Sequence, residues 1–136
     1  MRSEIEVDFI LTGRGVNVEA ISDRLQIVPS ETWRMGDVIK STVLRRKRDA
    51  WVLSSGLDRT MPYPVHVKAL LDRLHPRHAE IRGICKELGL EAEVSAGVES
   101  YDGDRPNLTL EAGEIRRLAD LNAGLEIDLY ILDDDD

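Results

Sequence analysis

The sequence predicts an α+β domain in which helices cover one face of a mostly antiparallel sheet. Some segments alternate apolar and polar residues one by one, as strands do, and others repeat apolar residues every three or four positions, as helices do. These segments follow one another in the order β-α-ββ-αα-β-α-β. We therefore predict a ferredoxin-like βαββαβ core with one extra αβ unit, forming a single domain over residues 1–132, and an acidic tail over residues 133–136.

The first strand is predicted from Glu4 to Leu11, where apolar residues alternate with carboxylates. A turn at Gly13-Arg14-Gly15 follows, and Asn17 is a suitable N-cap for a short helix that cannot continue past Pro29. The glycine pair resembles a dinucleotide-binding loop. However, Val18 stands where the third glycine would be needed, so we interpret this segment as a turn.

A loop from Pro29 to Asp37 and a hairpin are predicted next. The loop should be ordered, because the ring of Trp33 needs a pocket and its indole N–H needs a partner. The hairpin has Val38–Leu44 and Ala50–Ser54 as its arms. The basic run Arg45–Arg48 falls at its tip, as a solvated segment that discourages strand pairing or as a contact for nucleic acid or an acidic partner.

The second half of the chain contains three helical and two strand patterns. Proline and glycine separate them, as expected for helix starts and ends. In chain order they are a helix from Pro64 to Leu74, a helix from Ile81 to Leu88 capped by Gly89, a strand from Leu90 to Glu99, a helix around Ile115 to Leu121, and a strand from Leu125 to Ile131.

Charge and composition narrow the function classes. The 136 residues carry a net charge of −8, and residues 61–136 hold most of the acidic excess. This argues against nucleic acid as the main partner and favours a basic one. The chain has one cysteine and no apolar run long enough to span a bilayer. We therefore expect a cytoplasmic protein with no membrane partner.

Acidic residues on the polar sides of the predicted strands form the first candidate site. If helices cover one sheet face, these carboxylates share the other face, where crowded like charges reduce stability. A protein tolerates such crowding when it binds a basic partner; the alternative is an ordinary solvated face, and a divalent metal site is a weaker alternative without a defined loop. The partner-binding candidates are Glu93, Glu126, Asp128, Glu6 and Asp8, with Glu91 on the same strand face.

The loop around Trp33 is the second candidate site. Trp33, Arg34 and Asp37 could surround a small polar ligand with an aromatic platform. The alternative is structural: the buried ring pins the loop, and Asp37 accepts hydrogen bonds within a turn. We expect Trp33, and Trp51 in the following strand, to be at least partly buried.

The residues that usually carry catalysis or bind metals are poorly arranged. Pro76 separates His75 from His78 and disturbs a metal-binding helical pair, so we expect solvated surface histidines, His66 among them. Cys85 lies on an apolar helix stripe and behaves as a small hydrophobe. We predict no catalytic residue, metal or cofactor.

The order of these motifs resembles the bacterial domain of unknown function 4279 family. The resemblance rests on the strand ending at Gly13, the Pro-x-x-x-Trp-x-x-Gly-Asp element at Pro29 to Asp37, Trp51, the Leu-rich helix and the closing Glu126-Ile127-Asp128-Leu129-Tyr130. Such a family implies an association with bacterial immunity proteins but assigns no residue roles. We therefore expect a non-catalytic protein-binding domain, with a small-ligand domain or small enzyme as the alternative.

Overall fold

The computed structural model describes residues 2–133 and confirms the α+β prediction. The strands are β1 (Arg2–Gly13), β2 (Glu31–Trp33), β3 (Asp49–Ser54), β4 (Glu91–Tyr101) and β5 (Gly124–Leu132). The helices are α1 (Val18–Leu25), α2 (Tyr63–Leu74), α3 (His78–Leu88) and α4 (Ala112–Asp120), with a 3-10 turn, His75–Arg77, between α2 and α3. No helix among the described residues is long and apolar enough to cross a membrane.

The strands form one sheet in the order β2-β3-β1-β4-β5. Neighbouring strands are antiparallel except for β4 and β5, which are parallel. The parallel pair follows from α4, which carries the chain back along the sheet before β5 begins. The sheet is therefore mostly antiparallel, and α4 with β5 adds one parallel strand at its edge.

The helices pack on one face of the sheet and leave the other face open. Along β1, the side chains of Ile5, Val7, Phe9 and Leu11 are all buried, and the intervening side chains are less so. Trp51 and Tyr63 are the largest fully buried side chains, and Trp51 packs edge-on against Phe9 with ring centroids 6.4 Å apart. The strict period of two in β1 thus separates a core face from an open face.

Local sequence signals set several element boundaries. The Asn17 side chain accepts a hydrogen bond from the Glu19 N–H at 3.1 Å and begins α1. Gly89 ends α3 with a left-handed backbone, φ 68°. Pro64 lies in the first turn of α2, and Pro76 lies in the 3-10 turn that separates α2 from α3.

The predicted hairpin is wrong in its first arm. Glu31–Trp33 is a strand rather than a loop, and it pairs with β3 so that Trp33 lies opposite Ala50. Val38–Leu44 forms no strand; Val38 makes only an isolated bridge to Arg45. Both sides of β3 are already occupied, by β1 and β2, so residues 38–44 cannot pair with β3 as the predicted hairpin requires.

β5 is the last element that the structure describes. β5 ends at Leu132, the last residue assigned to the domain. Of the predicted acidic tail, residues 134–136 lie outside the described residues.

Candidate functional site

The open face of the sheet brings five of the predicted site residues together. Glu6 of β1 and Asp128 of β5 both lie opposite Gly97 of β4. Asp8 and Glu126 both lie opposite Ser95, one step along the same strands. Since neighbouring strands are about 4.8 Å apart, each of these carboxylate pairs spans about 10 Å across β4.

Glu93 extends this group along β4. It lies opposite Ile10 of β1 and Gly124 of β5, beside the pair formed by Asp8 and Glu126. We call Glu6, Asp8, Glu93, Glu126 and Asp128 the acidic face. Gly97 lies among them with open space where a Cβ would be, so small side chains on β4 leave this surface uncovered.

Crowding of like charges is strongest at Glu93. Partial burial raises the pKa of Glu93, and a hydrogen bond shared with Glu126 raises it further. The charges of Glu126, Asp128 and Glu91 add to the effect. The shared hydrogen bond requires one of the two carboxyl groups to hold a proton, so a raised pKa is the expected response of two close carboxylates.

Asp8 shows a similar effect at the centre of the sheet. Burial raises the pKa of Asp8, as do the charges of Glu6 and Glu31, whereas a hydrogen bond from Ser54 opposes the shift. The raised pKa values of Asp8 and Glu93 therefore indicate that both side chains lie in an environment that disfavours negative charge.

Arginines neutralise the rim of the open face but leave its centre unpaired. Arg48 reaches Glu91 at 3.0 Å, and Arg59 reaches Glu99 at 3.4 Å. Within residues 2–133, no salt bridge involves a residue of the acidic face. The described residues also contain no group of three or more His, Cys, Asp or Glu that could hold a metal ion. An acidic surface of this kind attracts cationic groups.

The structure does not bring Trp33, Arg34 and Asp37, the residues of the second candidate site, together around one pocket. Arg34 pairs with Glu19 of α1 at 2.6 Å, and Asp37 accepts a hydrogen bond from the Arg34 N–H at 2.8 Å. Asp37 therefore caps a turn, as the structural interpretation of this loop predicts. Of the three loop candidates, only Trp33 lines the groove beside the sheet, and the guanidinium of Arg46 lies 3.8 Å from its ring centroid.

The groove beside Trp33 has a volume of about 880 Å³ and runs around the end of the sheet where β4 and β5 begin. Ile10, Trp33 and Glu93 line it on the open face, and Cys85 and Lys86 of α3 line it on the helical side. Burial raises the pKa of Cys85, so its thiol is held in the protonated form, which is a poor nucleophile.

The basic run Arg45–Arg48 does not form the predicted hairpin tip. Arg45 donates to the carbonyl of Gly36 at 2.9 Å, Arg46 covers Trp33, and Arg48 pairs with Glu91. These arginines fold residues 34–48 against the rest of the domain. The three arginines of the basic run therefore make contacts within the domain.

Sequence reasoning missed Asp49, a buried carboxylate at the start of β3. It accepts hydrogen bonds from the Met35 N–H at 2.8 Å and from the Val16 N–H at 2.9 Å. These backbone bonds, with that of Met35 the stronger, lower the pKa of Asp49. No local pattern marks an aspartate after four basic residues as buried, because its partners lie 14 and 33 residues away.

The expectation of solvated histidines is wrong for His66. Its side chain is buried in α2, and its Nδ1 lies 2.6 Å from the Ser55 hydroxyl. Burial lowers the pKa of His66 against the opposing effect of the Asp58 backbone. His66 lies on the same face of α2 as Tyr63 and Leu70, which are buried. The helical period of the sequence could therefore have indicated that His66 is buried.

His75 and His78 are partly exposed and act in packing. His75 Nε2 lies 2.8 Å from the Asp120 carboxylate, and the Nδ1–H of His78 donates to the His75 carbonyl at 2.8 Å. Their rings stack with centroids 4.8 Å apart. One ring nitrogen of His75 therefore contacts α4, and one ring nitrogen of His78 contacts the 3-10 turn.

The comparisons with known proteins agree with the motifs. The model of the family described as Domain of unknown function (DUF4279) matches residues 3–132. The chain belongs to this family. No curated protein matches the chain, and no solved structure does. The match to domain of unknown function 4279 covers the whole sheet except Arg2, the first residue of β1, and it includes both the acidic face and the groove.

Proposed function

We propose that the protein is a non-catalytic protein-binding domain whose acidic face receives a basic partner. The observation that carries this proposal is the crowding on an open sheet face of carboxylates that have no salt-bridge partner among the described residues; this crowding adds to the effect of burial in raising the pKa of Glu93 and Asp8. Like charges on neighbouring strands destabilise a sheet. An immunity-like inhibitor of a basic protein, acting in the bacterial cytoplasm, is the form of this function that the family resemblance favours.

A basic partner would relieve the repulsion within the acidic face. A lysine or arginine placed near Glu93 and Glu126 favours their charged forms, so such a partner lowers the raised pKa of Glu93. Opposite charges across an interface mainly speed association and select the partner. Because the acidic face is only partly desolvated, this attraction should weaken as salt shortens the Debye length from about 10 Å at 0.1 M to about 3 Å at 1 M.

The experiment recovers partners from the native lysate and measures their association rates across a salt series. The test variant replaces Glu93, Glu126 and Asp128 by lysine. We expect it to associate at least about tenfold more slowly at low salt and to lose the salt dependence. The matched control replaces Asp23, Glu80 and Glu111, exposed acidic residues away from the open face, by lysine. An equal slowing of both variants, or of neither, would show that the acidic face is only a solvated surface.

A second candidate function is a small-ligand domain or small enzyme that uses the groove beside Trp33. The size of the groove and the exposed part of the Trp33 ring favour it, since ligand sites combine concave shape with aromatic walls. A ligand screen read by tryptophan fluorescence tests it, because Trp51 is buried and serves as an internal reference. A quenching ligand whose effect disappears in Trp33→Leu supports the groove; ligands that act equally on Trp33→Leu count against it.

The strand order supports a ferredoxin-like classification of the first four strands. β2, β3, β1 and β4 are neighbours in that order, and each neighbouring pair is antiparallel. We propose this classification together with the function, because an open sheet face opposite the helices is the surface on which the proposed partner would bind.

A further inference from the structure

The two edge strands of the sheet, β2 and β5, differ in length and in how well they are protected from pairing with another chain. β2, at one edge, has 3 residues, whereas β5, at the other edge, has 9 residues. Within the described chain β5 pairs only with β4. Along the free side of β5, every other residue directs its N–H and C=O away from the sheet.

β5 has only part of the usual protection of an exposed edge strand, namely the two charged side chains Glu126 and Asp128. It contains no lysine, arginine or proline. Residues Gly124–Leu132 also pair with β4 in an unbroken register, so no bulge twists the edge away. A long edge without a bulge or proline presents unpaired N–H and C=O groups to which another strand can pair. The edge of β5 is therefore an available template for strand addition.

The two faces of β5 are complementary to different side chains of an added strand. On the helical side, Leu125, Leu129 and Ile131 are 48%, 50% and 76% exposed, which leaves apolar side chains uncovered. On the open side, Glu126 and Asp128 belong to the acidic face. Because side chains alternate across a strand, a segment that alternates basic and apolar residues would match both faces at once.

An apolar hollow beside the end of β5 adds a place for an anchoring side chain. It has a volume of about 390 Å³ and lies between Leu129, Ile131 and the loop that carries Pro106 and Leu108. An apolar side chain of an added strand on the helical side would lie next to this hollow. The combination of a backbone template and a side-chain pocket is the arrangement used in peptide recognition by strand addition.

We propose that β5 binds an extended segment of a partner protein in which lysine or arginine alternates with apolar residues. This inference rests on the proposed function and names the structural form of the basic partner. A second copy of this chain is a poor occupant. In the antiparallel register that pairs all of β5 with itself, Asp128 would face Asp128 of the other copy, and like charges directly opposite are destabilising.

The test uses a fluorescein-labelled nine-residue peptide that alternates lysine and valine, with binding measured by anisotropy. Two further peptides carry N-methyl groups, one on every lysine amide and the other on every valine amide. In a strand these two sets of amides point to opposite sides, so only one set can face β5. We expect one methylated peptide to bind at least about tenfold more weakly and the other to bind like the parent, because only one set contributes backbone hydrogen bonds.

A pair of protein variants tests the apolar side of the edge without changing charge. We expect the double variant Leu129→Thr/Ile131→Thr to bind the parent peptide at least about fivefold more weakly, since it removes the apolar wall beside the hollow. The matched control is Ile115→Thr, which removes an apolar side chain that is 54% exposed on α4, outside the hollow. We expect the control to bind like wild type.

Three results would overturn the inference. Equal binding of both methylated peptides would show attraction to the acidic face without strand addition, and the proposed function would stand. Sedimentation of a dimer that Leu129→Thr/Ile131→Thr dissociates would show that a second copy covers the edge. Absence of binding by the parent peptide would remove β5 as the site, while the salt series with the native partner would still decide the proposed function.

Discussion

The indole N–H of Trp51 donates a hydrogen bond to the hydroxyl of Ser22 at 2.9 Å. This bond joins β3 to α1 across the core, where Trp51 is fully buried. The polar end of the ring thus has a partner while its apolar body packs against Phe9. Trp51 is a structural residue, whereas Trp33 is only partly buried and borders the groove.

Replacement of Trp51 by alanine should lower the free energy of unfolding by about 3–5 kcal/mol, because it leaves a large cavity in the core. Denaturant melts measure this change. Ser22→Ala should lower the free energy of unfolding by about 0.5–1.5 kcal/mol, because the hydrogen bond to Trp51 is lost. Trp33→Ala serves as the comparison and should cost less than Trp51→Ala, since part of the Trp33 ring is already in water. Equal losses for the two tryptophans would contradict this assignment.

Replacement of Asp49 by alanine should destabilise the protein by about 1–3 kcal/mol for each buried backbone N–H left without its acceptor. Asp37→Ala is the matched control, because Asp37 also accepts a backbone hydrogen bond in this region but is exposed. Chemical denaturation of both variants measures the difference. A loss at Asp37 as large as that at Asp49 would mean that burial of the Asp49 carboxylate does not matter.

The Asp49 carboxylate should also contribute to acid unfolding. Its pKa is lower in the folded protein than the ordinary value of 3.8, so the unfolded chain binds the proton first as pH falls. Its stabilising contribution is complete above pH 3.8 and is lost as pH falls through the folded pKa. As pH falls from 3.8 toward the folded pKa of Asp49, the Asp49→Asn variant should therefore lose less stability than wild type. Thermal melts measure this difference.

Glu93→Gln should stabilise the protein at pH 7 by about 0.2–1 kcal/mol, the scale of one cross-strand pair. The folded pKa of Glu93 is raised above the ordinary value of 4.5, so its contribution to stability is greatest below pH 4.5 and is lost as pH rises through the folded pKa. The gain in Glu93→Gln should accordingly shrink when melts are repeated below pH 4.5. Glu80→Gln is the control on α3; a gain of the same size there would argue against repulsion within the acidic face.

Burial of His66 should make stability depend on pH in a second interval. Its folded pKa lies below the ordinary value of 6.5, so the unfolded chain gains a proton first as pH falls. The free energy of unfolding should be highest above pH 6.5 and fall as pH drops toward the folded pKa. His66→Gln should flatten this decline and His78→Gln should not. A decline that persists in His66→Gln would assign it to another group.

The acidic face and His66 oppose each other in their effects on the pH of greatest stability. Glu93 favours low pH, whereas the buried neutral imidazole favours high pH. These two contributions have opposite signs, so the single variants separate effects that a wild-type melt reports only as a sum. The partner proposed for the acidic face should shift this balance, because a nearby cation lowers the pKa of Glu93.

Short-range patterns in the sequence determined the type of most elements and the composition of each face. The alternation in β1, β4 and β5 placed Glu6, Glu93 and Asp128 opposite the core, and the structure has them on the open face. Asn17 and Gly89 marked helix ends, because capping depends on a residue and its near neighbours. Such features need no knowledge of which strands are neighbours.

Tertiary structure alone decided which segments pair and which polar groups are buried. The choice of Glu31–Trp33 over Val38–Leu44 as the neighbour of β3 depends on the free edge of that strand. Asp49 is stabilised by N–H groups from two separate loops, and His66 is enclosed beside Ser55. The crowding at Glu93 likewise appears only when β4 and β5 lie side by side in one register. Hydrogen bonding and charge depend on distance in space, which a local period does not encode.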